Sequence, residues 1–187
     1  MCRALKAYVA VSTVIIIASL AYKASPLVIY QTTNKDYLNS LGYQYLGDNH
    51  KFNQWKTNYS LFKKSLSKSV SIFEHINDDL KGAYLLKRWC DKNVGASLSS
   101  QEDFKLVRKH CVVNLKNVIL NSPTIKTIDD LDSDKRKQLL KNNKGICHSD
   151  MKELVHWCVN SFRMAHIPRN YGSLVKVKGC CSIDTSL

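Results

Sequence analysis

The stretch that decides the fold is LLKRWCDKNVGASLSSQEDFKLVRKHCVV, residues Leu85 to Val113. Two cysteines, Cys90 and Cys111, each close an apolar, basic, helix-like segment, and a Gly/Ser loop separates them. Upstream, NDDLKGAYLLKRWCDKNVG offers Asn77 or Asp78 as N-cap, sets Ile76, Leu80, Ala83, Leu86 and Cys90 on one side, and stops at Gly95. Gly82 inside it costs about 1 kcal/mol relative to Ala. Downstream, Ser100 caps a second helix with Asp103 three residues on, an acidic form of the capping box, and Glu102 adds to the first turn. Phe104, Val107 and Cys111 then share a face, while Arg108, Lys109 and His110 occupy the last turn, where cations suit the helix dipole. Both cysteines therefore take apolar-face positions, which favours a covalent staple over a metal pair or a catalytic thiol couple. A strictly antiparallel hairpin would leave them at opposite ends, so a staple requires the second helix to cross the first or the loop to return along it. Such a bridge contributes roughly 3 kcal/mol in the chain-entropy account.

Working outward, the same helical period recurs. NKDYLNSLGYQYL has Asn34 as cap, then Tyr37, Leu38 and Leu41 before Gly42. KFNQWKTNYSLFKKSL repeats Phe52, Trp55, Tyr59, Phe62 and Leu66 at helical spacing, one apolar face better read as core than as a binding groove. TIDDLDSDKRKQLLKNNKG predicts a helix from about Asp129 to Asn142, with Leu131, Leu139 and Leu140 inward and Gly145 as stop. HSDMKELVHWCVNSFRMAHIP predicts another, capped by Ser149, with Met151, Leu154, Val155, Cys158, Phe162 and Ala165 on its core face and Pro168 beyond it. YGSLVKVKGCCSIDTSL is read as one short strand, Ser173 to Lys178, or a bound tail.

The other end differs in kind. Arg3 and Lys6 precede an apolar run from Ala7 to Tyr22 that Lys23 ends. At about 1.5 Å per residue the run spans about 24 Å, short of a ~30 Å hydrocarbon core; Ala4 and Leu5 lengthen it, and the flanking cations can snorkel. Three readings fit: an uncleaved anchor with the domain outside, which is preferred; a cleaved signal peptide ending near Ser19-Leu20-Ala21; and a buried core helix of a cytosolic protein. KASPLVIYQTTN then reads as an extended linker, since Ser25 precedes Pro26.

The composition, 44% hydrophobic and 23% charged, argues for a folded domain over long disorder. The net charge of +13 has two readings: an anionic partner, or the lysine- and asparagine-rich usage of an AT-rich genome, since the lysines are scattered.

Export would change what the cysteines mean. Cys90, Cys111, Cys147, Cys158, Cys180 and Cys181 lie beyond the apolar run, and an even number in an exported domain reads as a disulfide framework. Cys180 and Cys181 are vicinal and more plausibly partner different cysteines, whereas Cys147 and Cys158 cannot pair within one helix because eleven residues rise about 16 Å. Cys147-His148 and His156-x-Cys158 resemble zinc ligands, but their spacing does not put two ligands on one side of a turn. There is no C-x-x-C, H-E-x-x-H, G-x-S-x-G or glycine-rich phosphate loop. No catalytic residue, metal site or cofactor is expected.

The segments Leu86-Lys87-Arg88-Trp89-Cys90 and Phe104-Lys105-Leu106, with Cys111, are similar to a pattern in the paralogous uncharacterised proteins of haemotropic mycoplasmas. Those resemble an N-terminal anchor, a Trp- and Tyr-containing helical segment and an L-K-x-W-C … F-K-L-x-x-x-Y-C cysteine pair. His110 stands where that pattern has Tyr, and His156 to Val159 (HWCV) echoes the ending. The match covers the anchor and roughly residues 52–119; the tail from Lys144 departs from it. The family has no assigned activity, so no functional residue carries over. The resemblance implies a membrane-anchored, surface-displayed protein of an AT-rich, wall-less bacterium.

The expected architecture is mainly α: a signal-anchor over 1–24, a linker over 25–34, a helical exported domain over 35–170 and a Cys-containing tail over 171–187. The expected partners are the lipid bilayer, through the N-terminal helix, and an anionic host-cell surface. Export would remove nucleic acid as a partner. The alternatives are an exported thiol- or metal-dependent enzyme, and a cytosolic basic nucleic-acid-binding protein.

Overall fold

The computed structural model describes residues 32–48, 52–98, 100–143 and 145–186. The expected anchor, and the linker up to residue 31, lie outside them. Among the described residues no helix is long and apolar enough to cross a membrane. The domain is mainly helical, with a single two-stranded ribbon among the described residues.

Helix α1 (Asn34–Ser40) starts one residue earlier than expected, because Thr33 rather than Asn34 is the cap. The Thr33 hydroxyl accepts the Asp36 N–H, and the Asp36 carboxylate accepts the Thr33 N–H. The helix closes on Gly42 at φ +77°, where Gly42 N–H donates to Asn39 O and Tyr43 N–H to Leu38 O.

Helix α2 (Phe52–Ser69) buries Trp55, Tyr59, Phe62 and Leu66 on the predicted face. Helix α3 (Asp79–Val94), capped by Asp78, lies along it and buries Gly82, Ala83, Leu86, Cys90 and Val94. Gly82 makes this approach possible, since a Cβ there would fall on the Tyr59 ring, whose hydroxyl donates to Ile76 O at 2.7 Å. Leu80, placed on the inward side by the sequence, is 51% exposed. The buried arc is centred on Gly82 and Ala83, which leaves Leu80 at its edge.

After α3, the loop folds back on the start of the domain: Asn34 N–H donates to Ala96 O, and Leu98 N–H to Thr32 O. Helix α4 (Gln101–His110), capped by Ser100, packs against α1, α2 and α3 alike rather than running along α3 alone. The chain then straightens. Cys111 to Leu115 are all buried, and both edges of this strap are hydrogen-bonded. On one edge Leu46 N–H donates to Cys111 O and Val113 N–H to Gln44 O; on the other, His166 N–H donates to Val113 O and Leu115 N–H to Met164 O. Asn58 supports the strap from α2, its amide donating to His110 O and Val112 O, and Asn114 donates to the Asn58 carbonyl. Nearly every polar group of this buried segment thus finds a partner, as burial demands.

The second half is built of shorter elements: α5 (Leu115–Ile119), β1 (Ile125–Thr127), a 3₁₀ turn (Ile128–Asp130), α6 (Ser133–Asn142), α7 (Met151–Phe162), a 3₁₀ turn (Pro168–Asn170), α8 (Tyr171–Cys181) and β2 (Ser182–Asp184). Helix α6, expected from about Asp129, starts at Ser133 with Asp132 as its cap, and the α7 cap shifts from Ser149 to Asp150. Ser173–Lys178, read as a strand, is helical. Its alternating valines mimic a period of two, but Val177, Cys180 and Cys181 are buried together at helical spacing. The strand lies just beyond, where β2 pairs antiparallel with β1 and Ile183 faces Lys126.

Two hydrophobic cores result. The first gathers α1 to α4 around Trp55, Tyr59, Phe62, Phe73 and Leu86. The second gathers α5 to α8 around Leu115, Ile128, Leu154 and Phe162. Leu61, half-buried, touches both.

Candidate functional site

The six cysteines of the described residues form three pairs. Cys90 and Cys111 are bonded, with Cα atoms 5.5 Å apart. The opposite helix ends meet because α4 packs against α1, α2 and α3 rather than along α3 alone, so that Cys111 at its C-cap reaches Cys90 near the end of α3. The other pairs are Cys147–Cys180 and Cys158–Cys181, with Cα separations of 5.9 and 5.6 Å. Cys147 lies in the turn after Gly145 (φ +89°), ahead of α7, while Cys158 lies within α7. The vicinal pair closes α8, so the end of one helix is tied both to the entry and to the body of another. Cys90, Cys111, Cys158, Cys180 and Cys181 are buried and Cys147 is half-buried.

This pairing bears on the chemistry. The sulfurs of Cys147 and Cys158 are bonded, so neither is a thiolate ligand or nucleophile in this form. His148 instead faces Glu153 at 3.7 Å and stacks near Trp157, and His156 contacts Asn160. Among the described residues no group of three or more His, Cys, Asp or Glu side chains is placed to hold a metal ion.

His110, grouped with Arg108 and Lys109 as a cation of the last turn, is instead fully buried. It meets Phe62 edge-on, with ring centroids 5.1 Å apart, and neither ring nitrogen has a hydrogen-bond partner among the described residues. Burial, with a smaller contribution from Lys109, lowers its pKa to about 3, so it is neutral at physiological pH.

One concavity, roughly 770 Å³, is a groove walled by α5, α8 and the ribbon. Ile125, Tyr171, Leu174 and Val175 line it, with Lys178 and Asp184 at its rim as the charged groups.

Two smaller hollows adjoin one another through Lys109. One, roughly 290 Å³, is ringed by Lys64, Lys68, Lys109 and Arg163 over Leu61 and Phe62. The other, roughly 400 Å³, is ringed by Lys105, Arg108, Lys109 and Arg169 beside Tyr43 and Ala165. Among the described residues no carboxylate lines either hollow. All seven cations are exposed, and Lys105 alone makes an ion pair among the described residues, with Glu102. Helical spacing sets Lys64 and Lys68 on one side of α2, and Lys105, Arg108 and Lys109 on one side of α4. Arg163, at the end of α7, is fixed to α2 by donating from Nε to Leu61 O at 3.3 Å. In the sequence Arg108 and Lys109 fall in one helical turn while the other lysines read as scattered, so this convergence is not visible there.

Comparison of the chain with protein-family models, with curated proteins and with solved structures returns no match.

Proposed function

We propose that the chain is a membrane-anchored, surface-exposed protein whose helical domain serves interaction with a host or antigenic display rather than catalysis. The observation that carries this reading is the set of three disulfides. Bonds of this kind form and persist in oxidising surroundings, and they are rare where glutathione and thioredoxin keep thiols reduced. Six cysteines at the described positions, all paired and five of them buried, fit an exported domain better than a cytosolic one. The apolar run from Ala7 to Tyr22, preceded by Arg3 and Lys6, supplies the matching means of attachment with the domain outside. The resemblance to the haemotropic-mycoplasma proteins points the same way.

The test is a peptide mass map of the membrane-associated protein from cells, alkylated before and after reduction. Linked peptides for Cys90–Cys111, Cys147–Cys180 and Cys158–Cys181 are expected. Alkylation of all six cysteines without reduction places the domain in a reducing compartment and overturns the reading.

A further inference from the structure

We infer that the two hollows joined at Lys109 form one binding site for a sulfated polysaccharide chain. The inference rests on the exterior placement proposed above, and it names the ligand class and the residues. Seven exposed cations from α2, α4, the end of α7 and the turn after it converge on one face, and six of them have no ion-pair partner among the described residues. Like charges gathered without carboxylates repel one another, and a polyanion relieves that repulsion while releasing its counterions. The sharing of Lys109 makes the site continuous, so it suits a chain carrying several anionic groups rather than one small ion. The mixture matters too: Arg108, Arg163 and Arg169 offer planar forks that match sulfate oxygens, and the lysines act as mobile point charges.

Two other polyanions fit less well. Single-stranded nucleic acid is held by exposed aromatic rings between cations. Of the rings at this face, Phe62 is buried, Tyr43 is half-buried beside the second hollow, and Phe104 lies buried under the Arg108 guanidinium, so the described residues offer one partly exposed ring rather than a row of them. An anionic membrane would be entered by apolar side chains. The exposed large hydrophobics, such as Ile72, Leu80, Tyr84, Ile146 and Tyr171, lie outside both hollows. A sulfated glycan needs neither stacking nor insertion.

The experiment uses the full chain, oxidised, in zwitterionic nanodiscs. Probes are a heparin-type sulfated glycosaminoglycan, its desulfated form, a single-stranded oligonucleotide and vesicles containing phosphatidylserine. Preferential binding of the sulfated chain is expected, falling steeply with salt. Lys109→Ser combined with Arg163→Ser should weaken it at least about tenfold, because both sit where the charge is densest. A charge-matched control, Lys92→Ser with Lys152→Ser, should change it less than about twofold. All four side chains are exposed, and matched thermal melts check that the fold is kept. Equal losses in the two double variants would mean diffuse charge and no site. Tighter binding of the oligonucleotide or the vesicles, or full binding by the Lys109/Arg163 variant, also overturns the proposal. The cellular thiol map reads the exterior placement separately: free thiols with retained site-dependent binding sink the location alone, and intact disulfides without it sink the site alone.

Discussion

The two halves of the domain reach stability by different means. The first half packs long amphipathic helices through large aromatic side chains, with Trp55, Tyr59 and Phe73 almost wholly buried, and holds one disulfide. The second half has shorter elements, a more aliphatic core and two disulfides that share the vicinal pair Cys180-Cys181. The contrast follows from surface and volume. Short helices such as α5 bury few side chains each, so a covalent link replaces area that packing does not supply. In the first half α2 and α3 bury enough surface for the single staple to be an addition rather than a foundation.

The comparison breaks most visibly on reduction. Replacing Cys180 and Cys181 by Ser opens loops of 33 and 23 residues' separation, each worth about 3 kcal/mol though not fully additive. Together that rivals the total stability of a typical domain. Amide exchange should then rise through α6 to α8 while α2 and α3 stay protected. Cys90→Ser with Cys111→Ser should cost about 3 kcal/mol and leave both cores folded. Loss of α2 and α3 protection in the first variant would show that the halves are not energetically distinct.

Acid should act on the opposite half. His110 is held neutral in the fold, with its pKa near 3, whereas in the unfolded chain it binds a proton near 6.5. The unfolded state therefore takes up more protons between these values, and stability falls as pH drops from about 6.5 towards 3, by up to about 1.4 kcal/mol per unit. Lys109 pushes in the same direction. Denaturant melts of His110→Leu, compared with the parent across this window, should show a flatter dependence; parallel curves would remove His110 as its source.

Gly82→Ala sharpens the packing argument. Helix propensity alone favours Ala by about 1 kcal/mol. The new methyl would meet the Tyr59 ring, so a net loss of about 1–3 kcal/mol is expected by chemical denaturation. A gain would mean that α3 can move away from α2 at little cost.

The smallest effect is expected at Lys116, whose ammonium lies 2.5 Å from Asp129 and 5.5 Å from the centre of the Phe162 ring. Burial alone would raise the Asp129 pKa, but hydrogen bonds from Lys116 and Thr127 bring it below the usual carboxylate value. Its contribution is therefore present near neutral pH and lost in acid, as the carboxylate protonates. Asp129 remains partly exposed, so Lys116→Met should cost under about 1 kcal/mol at pH 7 and less once Asp129 is protonated, when only the contact with the Phe162 ring is left to lose.

What the sequence determined is local. The face of α2 from Trp55 to Leu66, the caps Asp78 and Ser100, and the stop at Gly42 follow from helical period and cap chemistry, which depend on residues within one or two turns. The apolar positions of Cys90 and Cys111 favoured a staple for the same reason. Tertiary structure decided the rest. With Cys90–Cys111 favoured and the vicinal bond disfavoured, nothing local tells Cys147–Cys180 with Cys158–Cys181 from the crossed alternative, and the choice rests on α8 ending between the entry and the body of α7. The helical state of Ser173–Lys178 depends on burying Val177 with the two cysteines, against a local alternation that suits a strand. The strap from Cys111 to Leu115 is extended because chains on both sides complete its hydrogen bonds. The basic face exists only because α2, α4 and the end of α7 meet there. Charges far apart in sequence add their fields once folding brings them within a screening length.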